Sequence, residues 1–466
     1  MKLSTLIKGC NAEILSGTSD TDVKAICCDS RKATAGALFI AVGGTAADGR
    51  TYVQDALSKG AVAAVGTDRE GLATIADRFF DHPSGKLELV GITGTNGKTT
   101  TVTLLYNLFR SMGYECGLLS TIANYVGTRR SETANTTADP ITINSLLSKM
   151  VDAGCRYCFM EVSSIGVEQK RTDRLEFKVG IFSNLTHDHL DYHKTFAEYL
   201  RCKKLFFDGL PKNATAITNA DDRHGLVMVQ NTKAKVVTYS TRTGADHTCK
   251  ILEQSIDGML LRIDGTEVWT RLVGEHNAYN ILAIYSAALA LGADKEEVLV
   301  GLSKLQSAPG RLETIRGPQG KTAVIDYAHT PDALENVLRT LRAVEPGREL
   351  VCVFGCGGDR DRTKRPEMAA VAEKYADRIF VTSDNSRSEK TEDIMAEICT
   401  GFSPKGRAKA VCIADRAEAI RAAVSLSQSP STILLAGKGH ETYQIMGTEK
   451  LHFDEREVLS EIFNQL

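Results

Sequence analysis

The stretch GITGTNGKTT, residues 91–100, decides the fold of this chain. An apolar run precedes it at 87–90 and an amphipathic stretch follows it at 99–112, so the local order is strand, loop and helix. A loop of small residues that leads from a strand into a helix N-terminus is a common binding site for phosphate. The stretch therefore predicts a nucleotide-binding α/β domain, unless it is only a tight turn.

The loop departs from the usual phosphate-binding pattern at one position. The pattern G-x-x-x-x-G-K-[ST] requires a glycine five residues before Gly97, where this chain has Ile92. Gly94 and Gly97 still let the backbone come close to a phosphate. Lys98 can neutralise the β- and γ-phosphates, and Thr99 can offer its hydroxyl to Mg²⁺. A tight turn alone does not explain this Gly-Lys-Thr trio, and we predict a variant ATP-binding loop.

Apolar runs alternate with helical stretches along much of the chain, which predicts an α/β protein with mostly parallel sheets flanked by helices. A polar linker at 81–86 and the segment SAPGRLE at 307–313 divide it into domains at 1–86, 87–308 and 309–466. The predicted strands are 37–42, 61–65, 87–93, 157–162, 179–184, 214–219, 322–326, 349–354, 378–382 and 432–436. The predicted helices are 52–59, 99–112, 141–153 and two within 271–305.

Length, charge and cysteine use exclude several classes of protein. A chain of 466 residues with a net charge of −2 is long enough for three domains and has no basic field for nucleic acid. It has no apolar run of membrane-spanning length and no N-terminal signal pattern, which predicts a cytoplasmic protein. The 12 cysteines are scattered. Cys155 and Cys158, with Cys352 and Cys356, could form a zinc or redox site, but small buried residues are the favoured interpretation.

Two clusters of polar residues follow predicted strands of the middle domain. Glu161 ends the strand at 157–162, where a carboxylate can bind Mg²⁺ beside a phosphate loop, although a solvated surface residue is the commoner alternative. Between His187 and His193 the segment THDHLDYH contains three histidines and two aspartates. This density indicates a metal site or an acid–base site, and the alternative is a polar loop.

Four polar loops of the last domain each follow a predicted strand. They are DYAHTPDAL (326–334), FGCGGDRDRTKRPEM (354–368), TSDNSRSE (382–389) and AGKGHETYQ (436–444). Open α/β sheets bind ligands at the carboxyl ends of their strands. The cations of the second loop are too compact for a nucleic-acid duplex but suit an anionic ligand through bidentate arginine contacts. We predict a ligand site at this edge.

Together these motifs resemble the Mur ligases, the ATP-dependent amide-forming enzymes of peptidoglycan assembly. In that family the phosphate loop reads TGTNGKT, as residues 93–99 do here, so the missing glycine is a family feature. The resemblance extends along the whole chain through the motifs EVSS, NLTHDHLDYH, GEHNAYN, PGR, DYAHTPD, GCGGDRD, DNSR and GKGHE. It implies a small N-terminal α/β domain for the UDP end of the substrate, a central P-loop ATPase-type domain and a C-terminal Rossmann-like domain.

The resemblance also implies roles in catalysis and in ATP binding. The implied catalytic residues are Lys98, Glu161, His189 and Lys203. The implied Mg²⁺ ligands are Thr99, Glu161, His189 and Lys203, the last as a carbamate. Lys204 is adjacent, so a shift of one residue in this assignment stays open. The implied ATP-binding residues are Gly94, Thr95, Asn96, Gly97, Lys98, Thr99, Thr100, Asn277, Asn280, Arg311, Asp326 and His329.

Two further sets of residues match substrate-binding positions of the family. The set implied for a UDP-MurNAc-dipeptide is Ser30, Asn135, Thr136, Thr137, Ser163 and Arg171. The family often has histidine where this chain has Ile165. The set implied for the incoming amino acid is Arg360, Asp384, Asn385, Ser386, Arg387, Gly437 and Glu441. The usual motif of the diaminopimelate-adding members is DNPR, so Ser386 replaces a proline that would fix the backbone torsion φ.

The resemblance implies the addition of meso-diaminopimelate to the D-Glu γ-carboxylate of UDP-MurNAc-L-Ala-D-Glu, with ATP and Mg²⁺, through an acyl phosphate. Arg387 favours diaminopimelate because it can pair with a distal carboxylate that lysine lacks. The alternatives are a ligase that adds L-lysine or another residue, a folate-type ligase, and a non-catalytic nucleotide-binding module. A non-catalytic module would be expected to have lost one of the implied catalytic residues. We also expect a monomer that binds no nucleic acid and does not enter the membrane.

Overall fold

A computed structural model describes residues 1–43, 48–186 and 190–465, with the backbone alone at 190 and 191. The chain divides into two compact units. The first contains Met1–Lys250, Ile263–Val268 and Tyr279–Ser303. The second contains Ile251–Arg262, Trp269–Ala278 and Lys304–Leu466. The division into three domains at residues 86 and 308 stays a prediction, because the first unit joins the N-terminal and central regions.

The first unit begins with a small four-stranded sheet in the order β1-β4-β3-β2, in which β1 is antiparallel to β4 and the other pairs are parallel. Its elements are α1 (Leu3–Ile7), β1 (Ala12–Ser16), β2 (Ala25–Cys27), β3 (Ala37–Val42), α2 (Val53–Ser58), β4 (Ala63–Thr67) and α3 (Arg69–Phe79). Short 3₁₀ helices lie at Ser30–Lys32, Gly49–Tyr52 and Pro83–Lys86. The predicted linker is thus partly a 3₁₀ helix, and its Pro83 and Ser84 are buried.

A long sheet follows, built on the predicted strands of the central region. The elements of this part are β5 (Glu88–Thr93), α4 (Lys98–Ser111), β6 (Cys116–Leu119), β7 (Asn124–Val126), β8 (Arg129–Ser131), α5 (Pro140–Asp152), β9 (Tyr157–Glu161), α6 (Ser164–Glu168), β10 (Phe177–Phe182), α7 (Leu190–His193), α8 (Phe196–Asp208), β11 (Thr215–Asn219), α9 (Gly225–Met228), β12 (Lys235–Ser240), β13 (His247–Ser255), β14 (Gly258–Ile263), β15 (Thr266–Thr270), α10 (Glu275–Ala290) and α11 (Lys295–Lys304). The strand order is β15-β14-β13-β12-β11-β10-β5-β9-β6-β7-β8. The central strands are parallel, and β5 lies between β10 and β9.

The second unit contains a six-stranded sheet in the order β16-β17-β21-β18-β19-β20, parallel except for β16. Its remaining elements are β16 (Glu313–Arg316), a 3₁₀ helix (Pro318–Gly320), β17 (Lys321–Asp326), α12 (Pro331–Val344), β18 (Glu349–Phe354), α13 (Lys364–Tyr375), β19 (Arg378–Val381), α14 (Thr391–Cys399), α15 (Pro404–Lys409), β20 (Ala410–Cys412), α16 (Arg416–Leu426), β21 (Ser431–Ala436), β22 (Tyr443–Met446), β23 (Glu449–His452) and α17 (Glu455–Gln465). This doubly wound order gathers the four predicted loops at the carboxyl ends of β17, β18, β19 and β21.

The central strands of both large sheets, such as β5, β9, β17, β18 and β21, are buried along nearly their whole length and pack into apolar clusters. Cys155, Cys158, Cys352 and Cys356 lie within these clusters as free buried thiols, and burial raises the pKa of Cys352 and of Cys356 to about 12. Among the residues with described side chains, no group of three histidine, cysteine, aspartate or glutamate residues could hold a metal ion. No helix in the described ranges is long and apolar enough to span a membrane.

Every predicted strand is present, with its ends shifted by no more than about two residues. The prediction missed the strands β1, β2, β6–β8, β12–β16, β20, β22 and β23, and among the helices it missed α3. It also placed one helix at 52–59, where the structure has a 3₁₀ turn followed by α2. The α/β class and the parallel order of the large sheets are as predicted.

Candidate active site

The phosphate loop lies between β5 and α4, as the sequence predicts. Gly97 is the N-cap residue of α4 with φ of 86°, in the left-handed region that glycine tolerates best. A Cβ on Gly97 would lie 2.5 Å from the Asn280 Oδ1 atom. A Cβ on Gly94, whose φ is 152°, would collide with the Ser183 hydroxyl. Both glycines are therefore required by the local packing as well as by the turn.

The strand end of β10 holds the loop in place. The Thr95 N–H donates to the Asn184 carbonyl at 2.8 Å, and the Asn96 N–H donates to Asn184 Oδ1 at 3.0 Å. The Ser183 hydroxyl donates to the Asn96 carbonyl at 2.7 Å. The Thr186 N–H donates to the Thr95 hydroxyl at 3.0 Å. Hydrogen bonds with the residues that follow β10 thus fix the loop conformation, which is the kind of preorganisation that phosphate transfer requires.

Two lysines meet at the Gly94 carbonyl. The Lys98 ammonium donates to the carbonyls of Gly94 and Thr95 at 2.9 and 2.8 Å. Lys203, on α8, is buried and donates to the same Gly94 carbonyl at 2.8 Å, with its ammonium 4.6 Å from the centre of the Tyr199 ring. Lys204 forms an ion pair with Asp208 at 2.6 Å instead. The geometry therefore supports Lys203 over its neighbour as the lysine of the phosphate site.

Glu161 is fully buried at the end of β9, so the alternative of a solvated surface residue is wrong. The Thr121 N–H donates to Glu161 Oε1 at 2.8 Å, and the Thr121 hydroxyl donates to Oε2 at 3.2 Å. The same hydroxyl lies 3.0 Å from the Thr136 hydroxyl. A buried carboxylate that is oriented at both oxygens can serve as a ligand for a hard cation.

The residues implied for the UDP-MurNAc-dipeptide partly converge on the backbone at Glu161. The Thr137 hydroxyl donates to the Glu161 carbonyl at 2.9 Å and accepts from the Ser163 N–H at 3.0 Å. Arg171 donates to the Thr137 carbonyl at 2.6 Å. Asn135 and Thr136 lie in the same segment as Thr137. Ser30 lies instead in the N-terminal region, where it begins the 3₁₀ helix Ser30–Lys32.

Part of the histidine-rich segment lies outside the described residues. His187 and His189 belong to the range 187–189, so the implied metal ligand His189 has no structural description. His193 is buried, and its Nε2 atom lies 2.8 Å from the Ser164 hydroxyl. This histidine is therefore held against the start of α6.

Asn277 and Asn280 are both buried and lie three residues apart on α10, which places them on one face of the helix. The Asn277 amide donates to the Val273 carbonyl at 2.9 Å. Asn280 approaches the phosphate loop at Gly97, as described above. Asn280 belongs to the first unit and Asn277 to the second.

Asp326 ends β17 in the second unit, where its two oxygens accept from the Leu312 and Ala328 N–H groups at 2.8 Å each. Burial raises the pKa of the Asp326 carboxyl, and the charge of Arg311 opposes this effect. The Arg311 guanidinium lies 5.0 Å from the centre of the Tyr327 ring. The His329 Nδ1–H group donates to the Tyr327 carbonyl at 2.8 Å. Arg311, Asp326 and His329, which are three of the residues implied for ATP, therefore lie close together at the carboxyl end of β17.

The residues implied for the incoming amino acid meet at the ends of β19 and β21. The Asn385 amide donates to Glu441 Oε2 at 3.0 Å, and its Oδ1 atom accepts from the Lys438 ammonium at 3.0 Å. Burial alone would raise the pKa of Asp384, but the charges of Lys438 and Arg416 outweigh it and hold that pKa below its usual value. Gly437 has φ of 114°, and a Cβ there would lie 3.1 Å from Asp384 Oδ2.

Arg387 is placed by a strained backbone. Its φ is 49°, which a non-glycine residue rarely adopts, and its N–H donates to the Ile445 carbonyl at 3.1 Å. The Arg387 guanidinium donates to the Gly358 carbonyl at 2.8 Å. Ser386 is buried, whereas Arg360 is exposed. The DNSR and GCGGDRD loops thus touch each other, although Arg360 stands apart from the buried members.

Three residues of the site were missed by the sequence analysis: Thr121, Tyr199 and Lys438. Thr121 lies in a short loop after β6, where no motif marks it. Tyr199 precedes Lys203 by four residues on α8, a helical spacing that could have indicated the contact. Lys438 stands inside GKGHE, and its burial was the missing information.

A phosphate loop at the end of a parallel sheet, followed by a doubly wound domain with a charged site, defines a nucleotide-using α/β enzyme. Three family descriptions match the chain: the Mur ligase family, catalytic domain, at residues 22–90; the Mur ligase middle domain at 92–288; and the Mur ligase, glutamate ligase domain, at 310–439.

Individual relatives match over the full length. The UDP-N-acetylmuramoyl-L-alanyl-D-glutamate--2,6-diaminopimelate ligase of Parabacteroides distasonis is 50% identical, with 100% of this chain and 99% of the relative covered. The protein of the same name from Phocaeicola vulgatus is 49% identical, with 99% of each covered. A solved structure with this name has a TM-score of 0.72 at 30% identity, with 100% and 99% covered.

The chain belongs to the Mur ligase family. The predicted resemblance, the predicted three-domain Mur ligase fold and the prediction of an ATP-dependent ligase are confirmed.

Proposed function

We propose that the protein joins meso-2,6-diaminopimelate to the D-Glu γ-carboxylate of UDP-MurNAc-L-Ala-D-Glu with hydrolysis of ATP to ADP and phosphate, a step of peptidoglycan synthesis. The observation that carries this proposal is the similarity to diaminopimelate ligases along the whole chain, at 46–50% identity for five of them. We further infer that the enzyme acts in the cytoplasm as a monomer, with domains at 1–86, 87–308 and 309–466.

In the first step the substrate carboxylate attacks the γ-phosphorus of ATP, and an acyl phosphate and ADP are formed. Two anions must approach each other, so positive charge and fixed N–H donors at the phosphate are the main requirement. Lys98 would supply the positive charge, and the backbone of Gly94 to Thr100 would supply the N–H donors. The hydrogen bonds to the residues after β10 hold these groups in a fixed arrangement. Asn280 lies beside the loop at Gly97, which supports its proposed role near the nucleotide.

The donor set fits Mg²⁺, which prefers oxygen ligands and takes only one or two carboxylates from a protein beside phosphate oxygens. Glu161 and the Thr99 hydroxyl would hold one ion, with His189 as a further ligand. Lys203 as a carbamate would offer anionic oxygens to a second ion, and its ammonium position at the Gly94 carbonyl supports this role. Bound Mg²⁺ would neutralise charge on the phosphates and on the acyl phosphate.

In the second step the free amine of diaminopimelate attacks the acyl carbon, and the tetrahedral intermediate collapses with release of phosphate. The second unit would position this amine, with Asn385, Glu441 and Arg387 as the main contacts. The guanidinium of Arg387 can pair with the distal carboxylate of diaminopimelate. Glu441 and Asp384 can accept from the distal ammonium.

Phosphate release by the purified protein tests the proposal. ATP, Mg²⁺ and UDP-MurNAc-L-Ala-D-Glu are supplied with meso-diaminopimelate, L-lysine or L-ornithine in separate reactions, and the product mass is measured. We expect turnover with diaminopimelate alone. Preference for lysine would keep the ligase and refute the proposed amino acid. No turnover with any amino acid would refute the proposed reaction.

A further inference from the structure

Lys438 is a fully buried cation in the candidate amino-acid site. Its ammonium donates to Asn385 Oδ1 at 3.0 Å and to Glu441 Oε2 at 2.8 Å, and it lies 3.6 Å from Asp384 Oδ1. No role follows for this residue from the steps of the reaction above. Burial of a lysine ammonium costs free energy unless the ammonium is paired, so these three contacts explain how Lys438 is tolerated. They do not by themselves say what its charge contributes to the site.

The first effect of Lys438 is geometric. Asn385 Oδ1 accepts from Lys438 and from the Ile445 N–H at 2.9 Å, which leaves the Asn385 amide nitrogen to donate to Glu441 Oε2. Lys438 and Asn385 therefore both hold the same oxygen of Glu441. The Glu441 Oε1 atom makes no hydrogen bond with any described residue, so it is available to a ligand.

The second effect is electrostatic. Asp384 and Glu441 bring two negative charges to the site, and Lys438 and Arg387 bring two positive charges. Two other cations of the second unit are fully buried and are paired elsewhere: Arg365 with Glu389 and Glu397, and Arg416 with Glu455. With Lys438 present, the four side chains of Asp384, Glu441, Lys438 and Arg387 have a net charge of zero. Without Lys438, the other three would have an excess of one negative charge.

We propose that Lys438 is a positioning residue that determines amino-acid specificity by keeping this site neutral. The proposal rests on the proposed function. The distal end of diaminopimelate has an ammonium and a carboxylate and is neutral, so it matches a neutral site. The distal end of L-lysine is a lone ammonium, which a site with excess negative charge would attract. Specificity is a difference of two affinities, and Lys438 disfavours the wrong substrate through like-charge repulsion.

Removal of the charge tests the proposal. Lys438→Met and Lys438→Gln are compared with the wild type and with Lys438→Arg for kcat/KM with meso-diaminopimelate and with L-lysine. L-Lysine is also measured as an inhibitor of diaminopimelate addition, so that its affinity is known even without turnover. Circular dichroism and thermal melting identify the folded variants, and Lys438→Gln can keep one hydrogen bond if Lys438→Met does not fold.

We expect the preference for diaminopimelate over lysine to fall about tenfold to hundredfold in either neutral variant, a typical size for the loss of one specific charge interaction. Lys438→Arg should keep the wild-type preference. An equal loss for both amino acids, with unchanged preference, would overturn the proposal and leave Lys438 a structural residue. Absence of diaminopimelate turnover in the wild type would instead refute the proposed function.

Discussion

At the residue scale, Lys203 and Lys204 show how neighbours in sequence come to differ in chemistry. Lys203 faces inward from α8 and meets the Gly94 carbonyl, while the ammonium of Lys204 pairs with Asp208 one turn further along the helix. The contact of Lys203 joins residues 109 positions apart. No local pattern encodes such a distance, so spacing alone left both lysines open as candidates, and packing separates them.

Lys203→Ala is expected to lower kcat by about 10²-fold or more, because it removes a charged group at a site of phosphate transfer. Lys204→Ala is the matched control, since it removes a neighbouring lysine whose ammonium pairs with Asp208 rather than with the Gly94 carbonyl. Both variants are measured by phosphate release. Equal losses in the two variants would contradict the assignment of Lys203.

Carbamylation of Lys203 makes a separate prediction. A carbamate forms from an amine and CO₂, so protein prepared without CO₂ and bicarbonate should lose activity and regain it when bicarbonate is added. A ¹³C NMR signal of a carbamate should appear with ¹³C-bicarbonate in the wild type and in Lys204→Ala, and not in Lys203→Ala. A signal that persists in Lys203→Ala would place the modification elsewhere.

Arg387→Ala is expected to raise the KM for diaminopimelate by tenfold or more, roughly the 1.5–3 kcal/mol of a hydrogen bond to a charged group. The KM for ATP should change little, because the ATP-binding loop is a separate element. Steady-state kinetics with each substrate varied in turn give both constants. Equal effects on the two constants would contradict the assigned role of Arg387.

At the scale of elements, the strands that the sequence predicted are all buried on both faces, whereas most of the missed strands are not; β6, which has only four residues, is a buried strand that was missed. β5 and β18 are continuous apolar runs and were found with nearly the right ends. The strand β13 has only one fully buried residue, and β16 has none, so neither forms an apolar run. β7 and β8 have three residues each, too few for periodicity. The site residues that belong to recognisable sequence motifs could be predicted. The roles of Thr121 and Lys438 became visible only in the folded structure, because they depend on contacts and burial.

The turn from β5 into α4 makes a prediction of its own. Gly97→Ala would meet both an unfavourable φ of 86° and Asn280 Oδ1 at 2.5 Å. Gly113→Ala is the matched control, because Gly113 follows the same helix with φ of 88° and no atom within 4 Å of the added Cβ. Both variants should lose about 1 kcal/mol of stability through strain, and Gly97→Ala should lose more and weaken ATP binding. Equal losses, with ATP affinity unchanged, would contradict this view of the loop.

At the scale of the whole molecule, a buried ion pair links several elements of the second unit. Arg416, on α16, donates to Glu455 Oε1 from Nε and Nη2 at 2.9 and 2.7 Å, and both side chains are fully buried. The same guanidinium donates to the carbonyls of Ser383 and Ala436 at 3.1 and 2.9 Å. The pair therefore connects α17 with the ends of β19 and β21, from which the candidate amino-acid loops emerge.

Arg416→Met should lower the free energy of unfolding by about 3–5 kcal/mol, because it leaves the Glu455 carboxylate buried without its partner. Arg421→Met, on the same helix, is the matched control, since its ion pair with Glu418 is largely exposed and should contribute no more than about 1 kcal/mol. Urea unfolding measures both variants. Equal small losses would show that the second unit does not depend on the pair.

The loss of stability in Arg416→Met should also depend on pH. Burial raises the pKa of Glu455, and Arg416 is the main group that opposes this effect, so the variant should have a still higher pKa in the folded state. The folded variant then binds more protons than the unfolded chain between the ordinary pKa of glutamate and the raised one, and stability falls as pH rises through that range. The difference from the wild type should therefore be smaller at pH about 5 than at about 7.5. A difference that is constant across this range would mean that the pKa of Glu455 is the same in the variant and in the wild type, and the loss of stability would then reflect packing around the missing guanidinium.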